Sequence, residues 1–163
     1  MPITPDRAIV RRRIRRRFAL IPLLLLLAAA PSPRVTIEVD CAGGIRPSQH
    51  RAVLDSDGAV SAVRLGFAAG HAAGHVDPDA VMRLSARLDA VGFDRLSSPK
   101  ANHHVYDGVT CTILRTTPRG THRIVLEPGS EVPGRRGAKI AEVRAVMDDA
   151  FRLAATIEPS PTR

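Results

Sequence analysis

Tryptophan is missing, tyrosine occurs once and phenylalanine four times in 163 residues. One of the five aromatics, Phe18, lies in an N-terminal apolar run, so stacking platforms for nucleic-acid bases are nearly absent. There is no G-x-S-x-G and no H-E-x-x-H segment, which removes the motif-borne routes to hydrolysis. Asp40, Asp55, Asp57, Asp94 and Asp107 fall at turns and strand ends, where aspartates commonly bond to nearby backbone, so no catalytic residue is assigned. Gly43-Gly44 lacks the longer glycine spacing and the immediate helix of a nucleotide loop, and no cofactor is implied. The two cysteines, Cys41 and Cys111, stand neither in a CxxC pair nor beside a histidine, which argues against a catalytic thiol.

A formal charge of +8 is the one feature that points towards a polyanion. Its distribution argues against that partner. Seven of the 24 basic residues (Arg7, Arg11, Arg12, Arg13, Arg15, Arg16, Arg17) and one of the 16 acidic ones (Asp6) lie in residues 1–30, leaving 17 against 15, a net of +2. The basic stretch is followed by FALIPLLLLLAAA, Phe18 to Ala30, the order of an export signal. That run is shorter than the roughly 20 residues a spanning helix needs, and Pro22 interrupts it. Ala28 and Ala30 offer small residues for cleavage, although Pro31 follows. Two outcomes stay open, a cleaved signal and an uncleaved N-terminal anchor. Residues 1–33 are expected to be this signal or anchor with a Pro-Ser-Pro spacer, and the protein to be exported, periplasmic or secreted. Membrane contact is expected only through that segment, and nucleic acid is not an expected partner.

Residues 34–157 read as one domain. Arg34 to Cys41 alternates, with Val35, Ile37, Val39 and Cys41 on one face, as a half-buried strand does. His50 to Leu54 and Ala59 to Leu65 are predicted strands joined by the turn Asp55-Ser-Asp-Gly58. Gly66 to His75, small and glycine-rich, is predicted to be a loop. Asp77 to Phe93 is the clearest helix: an Asp N-cap, Pro78 at the first position, an apolar face of Val81, Leu84, Leu88 and Val91, and Gly92 as the stop. After a loop over 94–107, strands are predicted over Val105 to Thr117 and Thr121 to Glu127. A Pro/Gly-rich loop, 128–137, leads to a helix over Ala138 to Ile157, and 158–163 is expected to be a frayed tail. The order is β-β-β-α-β-β-α. It predicts an α+β, two-layer domain with a mostly antiparallel sheet of about five strands covered by two helices.

Two sets of side chains invite a site. Cys41 and Cys111 fall on strands that could be neighbours, and outside the cytoplasm two such thiols can form a disulfide; reduced, they would serve as small buried hydrophobes. His71 and His75, with His103 and His104 beyond the helix, are weak metal candidates: an i,i+4 pair can share an ion on a helix, but the segment is glycine-rich and lacks the glutamate of a zincin. A His-dependent metal-binding protein is the weakest of three readings.

The other two rest on the layout. A strand ending in a glycine pair (VTIEVDCAGG) is followed by VDPDAVMRLSARLDAVGF with a trailing Asp-Arg-Leu, then YDGVTCTIL, THRIVL and a closing helix. Over roughly Arg34 to Leu153 this resembles the emfourin family of inhibitors, associated with protealysin-type, thermolysin-like metalloproteases, and related exported bacterial domains of the same layout. The family's glycine pair is typically followed by an aromatic and another glycine, where this chain has Ile45-Arg46-Pro47. The resemblance implies a non-enzymatic protein with a secreted metalloprotease as partner, inhibited by occlusion of its cleft, and it places the contact at Gly43, Gly44, Ile45 and Arg46. The alternative is an envelope-associated structural or interaction domain.

Overall fold

The computed structural model describes residues 33–44, 48–66, 69–101, 105 and 107–157. The N-terminal segment, Ile45 to Pro47, the His103-His104 pair and the tail 158–163 lie outside them. The chain divides into Met1–Ala30 and Pro31–Arg163. Among the described residues every buried apolar side chain lies between Val35 and Ile157, so the second unit carries a core of its own.

That unit is an α+β domain of six strands and two helices: β1 (Thr36–Gly43), β2 (Ser48–Asp55), β3 (Ala59–Leu65), β4 (Gly70–His75), α1 (Pro78–Ala90), β5 (Val109–Thr117), β6 (Gly120–Leu126) and α2 (Gly134–Ala155). The strands form one sheet in the order β4-β3-β2-β1-β5-β6. Every pairing is antiparallel.

The predicted loop at Gly66 to His75 is corrected here: most of it is β4, the sixth strand. Its alternation is real but carries little hydropathy contrast, with Gly70, Ala72 and Gly74 half-buried and His71, Ala73 and His75 exposed. A glycine suits position 74 because Ile157, just past α2, packs there. A Cβ on Gly74 would lie 3.0 Å from the Ile157 Cγ2 atom. The second helix also begins earlier than predicted, at Gly134 rather than Ala138.

Both helices cover the same face. Ile37, Val39, Ala52, Leu54, Val60, Ile113 and Ile124 point inwards from five strands and meet Val81, Leu84 and Leu88 of α1 and Ile140, Val143, Val146, Met147 and Ala150 of α2. Each of the valine, leucine, isoleucine and methionine side chains stabilises the fold by roughly 1.5–3 kcal/mol of transfer free energy. The α1 start is set by Asp77, whose carboxylate accepts from the Asp79 amide at 3.0 Å. Its end is set by Gly92 at φ 70°, which turns the chain into a single 3₁₀ turn, Phe93–Arg95.

One buried side chain in this face is charged. Arg115 follows Cys111 and Ile113 on the inward side of β5 and is 3% exposed. Its guanidinium donates to Asp89 Oδ1 at 2.7 Å, to the Ser85 carbonyl at 3.2 Å and to Asp94 Oδ2 at 2.7 Å. It also lies 5.7 Å from the centre of the Phe93 ring, whose edge-on neighbour is His122. His122 Nε2 lies 2.8 Å from the Leu96 carbonyl, which can only accept, so that nitrogen carries the proton. The last turn of α1 and the segment after it are thus tied to β5 and β6. Across the helix pair, Arg87 donates to Glu142 at 2.6 Å and to Asp149 at 2.5 Å, and Arg152 also pairs with Asp149.

Arg115→Ala should lower the unfolding free energy by about 3 kcal/mol, the scale for removing one partner from a buried ion pair. Arg115→Met, which keeps most of the volume, should cost less; urea unfolding followed by circular dichroism separates the two.

Acid should find two carboxylates. Burial pushes the Asp55 carboxyl up, but hydrogen bonds from Arg34 and Thr36 outweigh it and hold the group below the usual range. The Arg87 hydrogen bond lowers Asp149, with burial opposing it and Arg152 adding to the lowering. A carboxylate depressed in the folded state adds stability above its unfolded pKa of about 4, and that stability is lost as pH falls through the lower folded value. The urea midpoint should therefore be flat above about pH 5 and fall below about pH 4. The Asp55→Asn/Asp149→Asn double variant should show a shallower fall.

Candidate functional site: the loop-bearing end of the sheet

Antiparallel pairing sends the connections alternately to the two ends of the sheet, and the ends are unlike. At one end the links are short: the turn after Asp55, the step from His75 into α1, and Pro118-Arg119 between β5 and β6. Gly58 shows how tight this end is. It sits at φ 88°, and a Cβ there would come within 2.4 Å of the Val76 carbonyl oxygen. At the other end lie the link from β1 to β2, the link from β3 to β4, the approach to β5 and the exit from β6. Four of the connections are thus collected at that end.

That end is fixed at its base by Cys41 and Cys111. The two residues stand directly opposite one another in the β1–β5 register and form a disulfide. The bond lies in the inward-facing row Gly70, Arg64, His50, Cys41, Cys111, Leu126, one row in from the loops. It is the bond of an oxidising, extracytoplasmic compartment. No helix among the described residues is long and apolar enough to cross a membrane.

Above the disulfide the ends of the strands approach one another closely. Gly43 and Gly44 have φ values of 123° and 92°, which glycine adopts without the cost a side chain would bring. A Cβ on Gly43 would lie 2.6 Å from the Gly108 carbonyl oxygen, and one on Gly108 would lie 2.0 Å from the Pro128 ring. The end of β1, the start of β5 and the exit from β6 are therefore packed closely at Gly43, Gly108 and Pro128. Of the residues expected to make a partner contact, Gly43 closes β1 and Gly44 follows it at this end, while Ile45 and Arg46 lie outside the described residues.

Two open grooves flank the same region on the helix side, with the half-buried Phe151 of α2 lining both. One, of about 360 Å³, runs over Cys41, Cys111, Val109 and Pro128 to Met147. The other, of about 390 Å³, lies between His50, Arg64 and Ala72 of the sheet and Ala154 of α2. The ring of Phe151 meets His50 edge-on at 6.4 Å. Three of the four exposed large apolar side chains among the described residues stand at this end: Leu65, Val105 and Val109, which are 50%, 43% and 47% exposed. Sequence reasoning passed over them because each closes or opens a strand, where an apolar residue is expected in any case.

His71 and His75 are not brought together. On β4 they share the outer face but are four residues apart, about 13 Å along a strand, too far to hold one ion between them. Among the described residues no group of three or more His, Cys, Asp or Glu side chains is arranged to hold a metal. Ser130 is buried, and its hydroxyl donates to the Glu127 carbonyl, which makes it a turn residue. Compared with known protein families and with curated proteins, the chain matches none. Fold and site together define an α+β domain with helices on one face and a disulfide-based loop end.

The disulfide closes a loop of 70 residues, worth about 4 kcal/mol in the chain-entropy account. Reduction, or the Cys41→Ala/Cys111→Ala double variant, should lower the unfolding free energy by up to about that amount. Urea melts with and without reductant give the difference directly, and non-reducing mass analysis after thiol alkylation reports the bond.

Proposed function

We propose that the chain is an exported, non-enzymatic protein-binding domain, periplasmic or secreted, that works through the loop-bearing end of its sheet. The observation that carries this is the set of exposed apolar side chains, Leu65, Val105 and Val109, projecting from one end whose base is locked by a disulfide. A rigid base lowers the entropy lost when loops dock, and exposed apolar groups supply the contact. The partner we favour is a thermolysin-like metalloprotease. The resemblance to the emfourin family supports it, as does the collection of four connections at one end of the sheet. Inhibition would then be occlusion. Backbone held in the left-handed glycine conformations of Gly43 and Gly44 differs from the extended form in which proteases take substrates, so the loop would fill the cleft without being cut.

Incubating residues 31–163 with a thermolysin-like enzyme should abolish peptide hydrolysis at micromolar concentration. Val109→Asp should weaken inhibition at least on the order of tenfold, about 1.4 kcal/mol. Met82→Asp, on an exposed α1 position, should leave it unchanged. Full protease activity in the presence of excess protein would remove the protease from the proposal.

A further inference from the structure

The two edges of the sheet are treated differently. The β6 edge is covered by the chain itself: the Val125 amide donates to Ser98 Oγ at 2.9 Å, and Leu96 accepts from His122 beside it. The β4 edge has no such cover among the described residues. Nor does β4 carry a lysine, an acidic residue or a proline, the usual devices that stop an edge from pairing.

Which groups of β4 face outwards follows from its ladder with β3. Val76 donates to the Gly58 carbonyl at 2.9 Å, and Gly58 stands opposite Val76 when the register is continued. Bonded pairs alternate in an antiparallel ladder, so Gly74, Ala72 and Gly70 bond to β3. The N–H and C=O groups of His71, Ala73 and His75 therefore point to the free edge. A second β4, antiparallel and centred on Ala73, satisfies all of them at once. Ala73 meets Ala73 of the second copy, and His71 meets His75 of the second copy on either side, about six hydrogen bonds in all. A register shifted by two residues leaves one of the three outward residues without its opposite.

We propose that two copies of this chain associate by pairing their β4 strands about a two-fold axis at Ala73, making one sheet through both copies. The occupant that matches the edge best is the edge itself: its outward residues are symmetric about Ala73, and nothing larger than alanine stands at the axis. This pairing gives the histidines a geometry they lack within one chain. Each His71 lies about 5.5 Å, Cα to Cα, from a His75 of the other copy, on the face no helix covers. Two neutral imidazoles so placed can hold a zinc ion, with water in the remaining positions. The association leaves the loop-bearing ends pointing in opposite directions, so it does not depend on the function proposed above.

Sedimentation of residues 31–163 across the micromolar range should show a dimer. Added Zn²⁺ should tighten it on the order of tenfold, with one zinc per chain. His71→Ala should lose the zinc effect. Ala73→Pro removes only an outward N–H and should give a folded monomer, judged by an unchanged circular dichroism spectrum. Ala73→Cys should cross-link two copies rapidly under mild oxidation, whereas His71→Cys should not, since its counterpart stands about 13 Å along the strand. A wild-type monomer with and without zinc would overturn the proposal, including the case in which a foreign strand occupies the edge. So would a dimer in which Ala73→Cys cross-links no faster than His71→Cys.

Discussion

The Arg115 guanidinium is the constraint to which much of the helix placement answers. A charge taken from water into the helix-facing side of a sheet must find partners or the fold bears its desolvation cost. Its partners come from two places in the chain: the last turns of α1, through Ser85 and Asp89, and the 3₁₀ turn beyond Gly92, through Asp94. Because Arg115 is fixed on β5, those groups can satisfy it only with α1 crossing the sheet at one position. Phe93 then covers the guanidinium and leans on His122, so the apolar and ionic contacts agree on one arrangement. The two acids keep one side towards water, at 67% and 52% side-chain exposure, which limits the cost of the arrangement.

With α1 held near the tight-turn end, α2 covers the rest of the inner face, from the loops after β6 to Gly74 on the far edge. Arg87 reaches Glu142 and Asp149 and keeps the two helices in register. The division of labour between the ends of the sheet follows. Helix positioning and short turns use up one end, and the other is left with the longer connections. The Cys41–Cys111 bond and the contact of Gly43, Gly108 and Pro128 fix the strand ends from which three of them leave.

How much of this could be read from the sequence depended on contrast. The α1 helix was legible because Asp77, Pro78 and Gly92 punctuate it and its leucines recur at helical spacing. Strand β1 was legible because Val35, Ile37 and Val39 alternate with polar residues. The disulfide followed from two cysteines on strands that could be neighbours, although the sequence left open whether it forms. Strand β4 was hidden because glycine and alanine alternate with alanine and histidine, and a period of two with little hydropathy contrast reads as a loop. Arg115 was hidden for the opposite reason. It falls in phase with Cys111 and Ile113, so its inward position was implied, but an arginine near a strand end is ordinarily taken as solvent-facing. Only the folded chain brings Asp89 and Asp94 to it from 26 and 21 residues away. Of the candidate contact residues, Gly43 and Gly44 were recognisable by their type, whereas Leu65 and Val109 stand out only when the ends of different strands are seen side by side.

The small residues of β4 serve two sides of the strand at once. Inwards, Gly74 has to be glycine-sized because Ile157 lies against it, which anchors the end of α2. Outwards, the strand carries no lysine, acidic residue or proline to keep another strand away. A lysine at position 73 would protect that edge at no cost to the core, since its side chain would point to the open face. Alanine stands there instead, between two histidines. Protection of the β6 edge by Ser98 shows that this chain can cover an edge with its own loop, so the β4 edge, uncovered among the described residues, is a difference within one sheet rather than a general property of it. The core requirement accounts for Gly74 but says nothing about His71, Ala73 and His75. Their arrangement is explained by pairing with a second strand, and the symmetry of that arrangement is what makes an identical strand the natural partner.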